Sequence, residues 1–166
     1  MKRVYKVLPI CLIVLGLVCP GCRPSSTAQL EENKTLVRRV IEEMGKQNWA
    51  AFMELHAPDF VCHTPDSPKP LTREELEKSL RMMYAAFPDF SPTIEDIIAE
   101  GDKVVIRETC RGTNKGEFMG TPATGKEMTL SVTIMFRIAG GKIAEAWEEY
   151  DRMTVMQQLG VMPADE

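Results

Sequence analysis

A chain of 166 residues with 44% apolar and 27% charged side chains can bury one ordinary hydrophobic core, and nothing in its composition suggests disorder. Its formal charge is −4; leaving out Lys2, Arg3 and Lys6, three of the 20 basic residues, sets 17 against 24 acidic ones and gives −7 for the remainder. That sign repels phosphate backbones and anionic lipid headgroups, which excludes nucleic acid as an expected partner.

Those three basic residues precede an apolar run over residues 7–18 that is too short and too asymmetric in its flanks for a transmembrane helix. Residues 1–21 therefore read as a signal peptide. The following Val18-Cys19-Pro20-Gly21-Cys22 resembles a bacterial lipobox, in which a small residue precedes a cysteine that is acylated and becomes the new terminus. Gly21 fits this pattern and makes Cys22 the expected lipidation site, while plain secretion with cleavage nearby is the competing reading. Residues 22–32 are then a tether and 33–163 the folded domain.

Leu36, Val37, Val40, Ile41 and Met44 recur at helical spacing, and Gly45 supplies a stop. Asn48 is placed to cap a short second helix carrying Trp49, Phe52 and Leu55 and ending before Pro58. Thr72-Arg73-Glu74-Glu75 is a capping box, and Leu76, Leu80, Met83 and Phe87 continue one apolar face until Pro88 ends the helix. Beyond Pro88 the period becomes alternating. Segments 94–98, 104–111, 128–138 and 142–150 read as antiparallel strands, separated by Gly101-Asp102, a glycine-containing loop and Gly140-Gly141. Met128, Leu130, Val132, Ile134, Phe136 and Ile138 form one apolar face, which places Phe136, with Leu80 from the longest helix, in the core. Helices first and a meander afterwards predict an α+β fold with helices on one side of the sheet. Cys62 and Cys110 are read as small buried thiols, with a disulfide left open.

The residues also carry a resemblance. Asp59-Phe60-Val61-Cys62-His63, Ala86-Phe87-Pro88-Asp89 and Ile97-Ile98-Ala99-Glu100-Gly101-Asp102-Lys103-Val104 look like successive landmarks of the SnoaL-like polyketide cyclases and ester cyclases. The series continues through the glycine loop from Arg111 to Lys126, then Phe136-Arg137-Ile138, Gly141-Lys142-Ile143-Ala144-Glu145-Ala146-Trp147, Asp151 and Gln158-Leu159-Gly160. This resemblance implies a nuclear transport factor 2-like cone, a curved antiparallel sheet with about three helices enclosing an apolar pocket.

On strand parity, Trp147, Glu149 and Asp151 share one side of the last strand, and Ala146, Glu148 and Tyr150 the other. The resemblance makes Asp151 the candidate acid/base, because an aspartate in the terminal region has that role in the characterised cyclases. A carboxylate in an apolar pocket loses hydration, its pKa rises, and it can both take and return a proton. Capping of a terminal helix containing Met153, Met156 and Leu159 is the alternative for the same residue. His63 matches a histidine frequent in these proteins, where it lines the pocket and polarises a carbonyl; an exposed strand-end histidine is the plainer reading. Arg107 is a candidate for binding a substrate oxyanion, or else forms a salt bridge to a neighbouring strand. Trp147, Phe118, Met119 and Phe136 are the expected substrate-shaping residues, Phe118 and Met119 being otherwise hairpin packing. With only His56 and His63 available and no carboxylate at ligand spacing, no metal site is expected.

The activity implied is a cofactor-independent, intramolecular aldol-type cyclisation of a small apolar carbonyl compound. Export sits awkwardly beside cytosolic polyketide synthesis, so a noncatalytic envelope lipoprotein holding a small hydrophobic molecule stands as the alternative, with a related isomerase or hydrolase behind it. The expected location is the cell envelope rather than the cytoplasm. The expected partners are a small hydrophobic molecule and a membrane reached through the lipid anchor, with a homodimer left open.

Overall fold

The computed structural model describes residues 27–163, so the expected signal peptide and Cys22 lie outside the described residues. α1 (Thr27–Gly45) buries Val37, Val40, Ile41 and Met44 on the stripe that the helical period sets. It begins inside the stretch read as a tether, because residues 27–32 contain neither glycine nor proline to stop a helix. α2 (Trp49–Glu54) follows, with Asn48 at its N-cap position. The Asn48 amide donates to Glu43 Oε2 at 2.7 Å instead of accepting from the α2 backbone.

β1 (His56–His63) leads through a short β2 (Leu71–Thr72) into α3 (Arg73–Ala86). Both halves of the capping box form: Thr72 Oγ1 accepts from the Glu75 amide at 3.3 Å, and Glu75 Oε2 accepts from the Thr72 amide at 2.8 Å. β3 (Ser91–Glu100), β4 (Lys103–Thr113), β5 (Glu127–Ala139) and β6 (Lys142–Tyr150) then form an antiparallel meander, and α4 (Arg152–Gln158) closes the domain. Between β5 and β6 the turn is the two-residue Gly140-Gly141, at φ 58° and 73°, which matches the twist of the flanking strands.

The six strands lie in the order β2-β1-β6-β5-β4-β3. One pairing departs from the all-antiparallel expectation. β1 lies parallel to β6, since the chain leaves β1 through α3, re-enters at the far edge with β3, and three hairpins bring it back alongside β1. Register shifts at 56–61, 94–96 and 137–138 bend the strands, curving the sheet so that one face wraps toward the helices. The helix count is four rather than about three among the described residues.

The apolar parity of β4 and β5 packs against α1, α2 and α3 in one buried cluster and against α4 in a second, with Phe90 and Ile134 touching both. Phe136 is 4% exposed, as a core residue should be. Leu80 is only half-buried, because its inner end borders a cavity instead of closed packing. Cys62 and Cys110 are buried free thiols, on strands with β6 and β5 between them. No helix among the described residues is long and apolar enough to cross a membrane.

Candidate functional site

Between the inner face of the sheet and the helices lies a cavity of about 140 Å³. α3 lines it with Leu76, Leu80 and Met83, and β5 with Val132, Ile134 and Phe136. Polar side chains enter from few places. β6 contributes Glu148 and Tyr150, joined by Thr64 and Asp66 from beyond the end of β1 and by Arg152 at the start of α4; β4 contributes Glu108 and Cys110, β1 His56 and α3 Ser79. The strand register explains this convergence. Ile134 pairs with Glu148 on one side and Ile106 on the other, and Val132 with Tyr150 and Glu108, so the two glutamates flank β5 on the same face.

The loop at 114–126 brings Phe118 and Met119 to the cavity wall. It is organised by Asn114, which is buried and bonds across the loop: its Nδ2 donates to Gly116 O at 2.8 Å, while its Oδ1 accepts from the Thr124 amide at 2.8 Å. Gly116 is required by close approach, since a Cβ there would lie 2.5 Å from the backbone oxygen of Ala85. Phe118 then packs edge-on to Phe87, with ring centroids 5.1 Å apart.

The electrostatics of the cavity follow from burial. Loss of hydration pushes Glu148 up to about 7, assisted by the nearby charges of Glu108 and Asp66 and opposed by a hydrogen bond with Thr64. Glu148 retains partial access because it faces the open volume of the cavity, though protein surrounds it. Burial also pushes Glu108 up to about 7, with the Cys110 thiol, 3.5 Å from Glu108 Oε1, working the other way. The two carboxyls titrate near neutrality as neighbours in one apolar space. Burial raises Cys62 to about 12 and carries Cys110 higher still, which makes both poor nucleophiles at neutral pH. His56, buried with Nδ1 2.7 Å from Phe52 O, is pushed down to about 4 and stays neutral. Tyr150 donates its hydroxyl proton to Asp66, and Arg152 Nη1 lies 3.6 Å from the other oxygen of that carboxylate. No group of three or more His, Cys, Asp or Glu side chains is placed to hold a metal among the described residues.

A family profile described as SnoaL-like polyketide cyclase matches residues 34–159. The chain belongs to that family. Among solved structures, IdmH of Streptomyces antibioticus, described as a candidate polyketide cyclase, is similar at 32% identity with a TM-score of 0.69, over 77% of this chain and 98% of that one. AclR of Streptomyces galilaeus, a candidate hydroxylase, gives a TM-score of 0.75 at 26% identity over 82% of this chain and 86% of its own. A candidate polyketide cyclase from Acidithiobacillus ferrooxidans gives 0.69 at 27% identity over 78% and 95%. None of the curated protein sequences matches significantly.

In this SnoaL-like chain the residues singled out from sequence divide between two faces. Phe118, Met119 and Phe136 line the cavity. Asp151 instead sits exposed at the N-cap of α4, where Oδ1 accepts from the Met153 and Thr154 amides at 2.9 and 3.1 Å and Oδ2 from the Thr154 hydroxyl at 2.7 Å. Those bonds hold its carboxyl below the usual carboxylate range, opposite to what a desolvated base needs. Trp147 lies on the outer face of the sheet, stacked on His63 with centroids 5.4 Å apart. His63 Nε2 is 3.0 Å from Glu145 Oε1, and Arg137 holds the other oxygen of Glu145 at 3.1 Å. Arg107 also faces outward and pairs with Asp96 of β3 through its Nε at 2.8 Å and Nη2 at 2.6 Å.

The alternation in β6 thus separates the two faces correctly, but the set facing the cavity is Ala146, Glu148 and Tyr150, and not Trp147, Glu149 and Asp151. The sequence did contain a signal for the two acids that line the cavity. Glu108 interrupts the apolar parity Val104, Ile106, Cys110 of β4, and Glu148 follows Ala144 and Ala146 on β6; an acid on a buried parity is a stronger pointer than an acid at a helix start.

Proposed function

We propose that the protein is a SnoaL-like ester cyclase that closes a ring in a small apolar carbonyl compound without a cofactor, using Glu148 as its acid/base. The observation that carries this reading is the Glu148 carboxyl facing a predominantly apolar cavity, where loss of hydration pushes it up to about 7. Ionised Glu148 removes a proton from the carbon beside one carbonyl. The enolate carbon attacks a second carbonyl of the same molecule, forming a carbon–carbon bond, and the new alkoxide takes the proton back from Glu148. No atom is gained or lost. Phe118, Met119 and Phe136 contribute by holding the chain folded, which converts an improbable encounter into a positioned one.

The test is turnover of a panel of linear diketones and enol esters. Glu148→Gln is expected to lower kcat by about 100-fold or more, while Asp151→Asn leaves it unchanged. For the parent, kcat/KM should fall as pH drops below about 7, where the base becomes protonated. Full turnover in the Gln variant would overturn the assignment. A second reading, an envelope protein that holds a small hydrophobic molecule without changing it, draws on how few polar groups line the cavity. Ligand bound without turnover across the panel supports that reading instead.

The location proposed is the cell envelope, with Cys22 as the acylated residue. Cys22→Ser should abolish incorporation of labelled lipid and leave the protein soluble or unprocessed. Retention of that variant on membranes after a salt wash would overturn the anchor.

A further inference from the structure

Glu108 is 3% exposed, lines the cavity, and leaves its Oε2 without a hydrogen-bond partner among the described residues. Burying an oxygen in this way is costly unless something in the cavity satisfies it. Its other oxygen, Oε1, is 3.5 Å from the Cys110 thiol, which donates to it. In the neutral acid the proton therefore belongs on Oε2, which makes the unpartnered atom a donor. A second buried group repeats the pattern: the Tyr84 hydroxyl, among the rings of Trp49 and Phe90, also lacks a partner. It is near enough to Glu108 and Cys110 for their charge to help raise it to about 12, so it too is a donor at neutral pH.

We propose that Glu108 forms a second polar subsite, across β5 from Glu148, that donates a hydrogen bond to the second carbonyl oxygen of a ligand carrying two carbonyl groups. This deepens the proposed function and rests on its reading of the cavity. The strand register supports it, because Glu108 and Glu148 approach the same apolar floor from opposite sides of β5, at Val132 and Ile134. A chain bridging them presents one carbonyl to each end. While it is neutral, Glu108 polarises the carbonyl it holds, and Glu148 faces the other.

The experiment measures equilibrium binding with Glu148→Gln as the parent protein, so that turnover of the diketones and titration of Glu148 do not enter it. Linear methyl diketones of eight to twelve carbons and the matching methyl monoketones are titrated by calorimetry into the parent, Glu108→Leu and Glu108→Gln, one pH unit below and one above the Glu108 value of about 7. Below it, the parent should prefer the best diketone over its monoketone by about fivefold or more. Glu108→Leu should bring that ratio to one with the monoketone affinity retained. Glu108→Gln, still a donor, should keep the preference at both pH values, whereas the parent loses it at the higher one. An equal ratio in parent and Glu108→Leu overturns the subsite, as does a pH-independent preference in the parent, which remains decisive if the Leu variant does not fold. Equal affinity of the parent for both ligand types also overturns the subsite while leaving the cavity reading intact. Failure of both types to bind overturns the cavity reading itself.

Discussion

The buried titratable side chains pull stability in opposite directions along the pH scale. His56 is neutral in the folded protein down to about 4, against 6.5 for its ordinary value, so the unfolded chain binds the extra proton between those limits and stability falls as pH falls through them. Glu148 and Glu108 behave oppositely. Each is raised from 4.5 to about 7, so the folded state holds more protons in that window and stability falls as pH rises through it. Above about 7 the cavity contains ionised carboxyls that would be better solvated in the unfolded chain. Glu148→Gln removes that cost and should stabilise the protein by about 2 kcal/mol above the pair's titration, with little gain near 4.5, where the parent is already neutral. Urea titrations on both sides of the transition would show this, and a gain independent of pH would contradict it. If the same substitution also lowers turnover as proposed, the stabilisation is the expected mark of a carboxyl retained for chemistry.

At the scale of elements, α4 shows how a residue can be legible in position and not in direction. The spacing of Asp151 from Trp147 and the apolar pattern Met153, Met156, Leu159 correctly locate the end of β6 and the start of a helix. What the alternation cannot carry is which face of β6 is roofed by helices, since both parities hold large and acidic residues. Thr72-Glu75 and Gly140-Gly141 were legible because capping and tight turns depend on a few adjacent residues. The parallel β1–β6 pair and the two-residue β2 were not, because they depend on contacts distant in sequence. The placement of Glu108 and Glu148 on either side of β5 is likewise a product of register across three strands. With three hydrogen bonds to the first turn of α4, Asp151→Ala should cost about 1 kcal/mol in a denaturant titration, and Asp151→Asn, which retains a capping oxygen, only a few tenths. A cost for Asn equal to that for Ala would mean that the negative charge rather than the cap geometry supports the helix.

At the scale of the whole molecule, the domain is built around an incomplete core. Two buried clusters meet through Phe90 and Ile134, and the cavity opens between them where closed packing would otherwise continue. Side chains of similar apolarity therefore have unequal value. Phe136, 4% exposed and packed in the larger cluster, should lose about 3 to 5 kcal/mol when changed to Ala, because its removal enlarges a space its neighbours cannot refill. Leu80 already borders empty volume, so Leu80→Ala should cost less, about 1 to 2 kcal/mol. Leu80→Phe adds bulk where there is room for it and should change stability by about 1 kcal/mol or less, in contrast to the penalty expected at a filled position. The same substitution occupies ligand volume, so it should abolish binding of the methyl ketones while the denaturation midpoint stays near that of the parent. Loss of stability together with retained ketone binding would show that Leu80 belongs to the closed core and that the ligand space lies elsewhere.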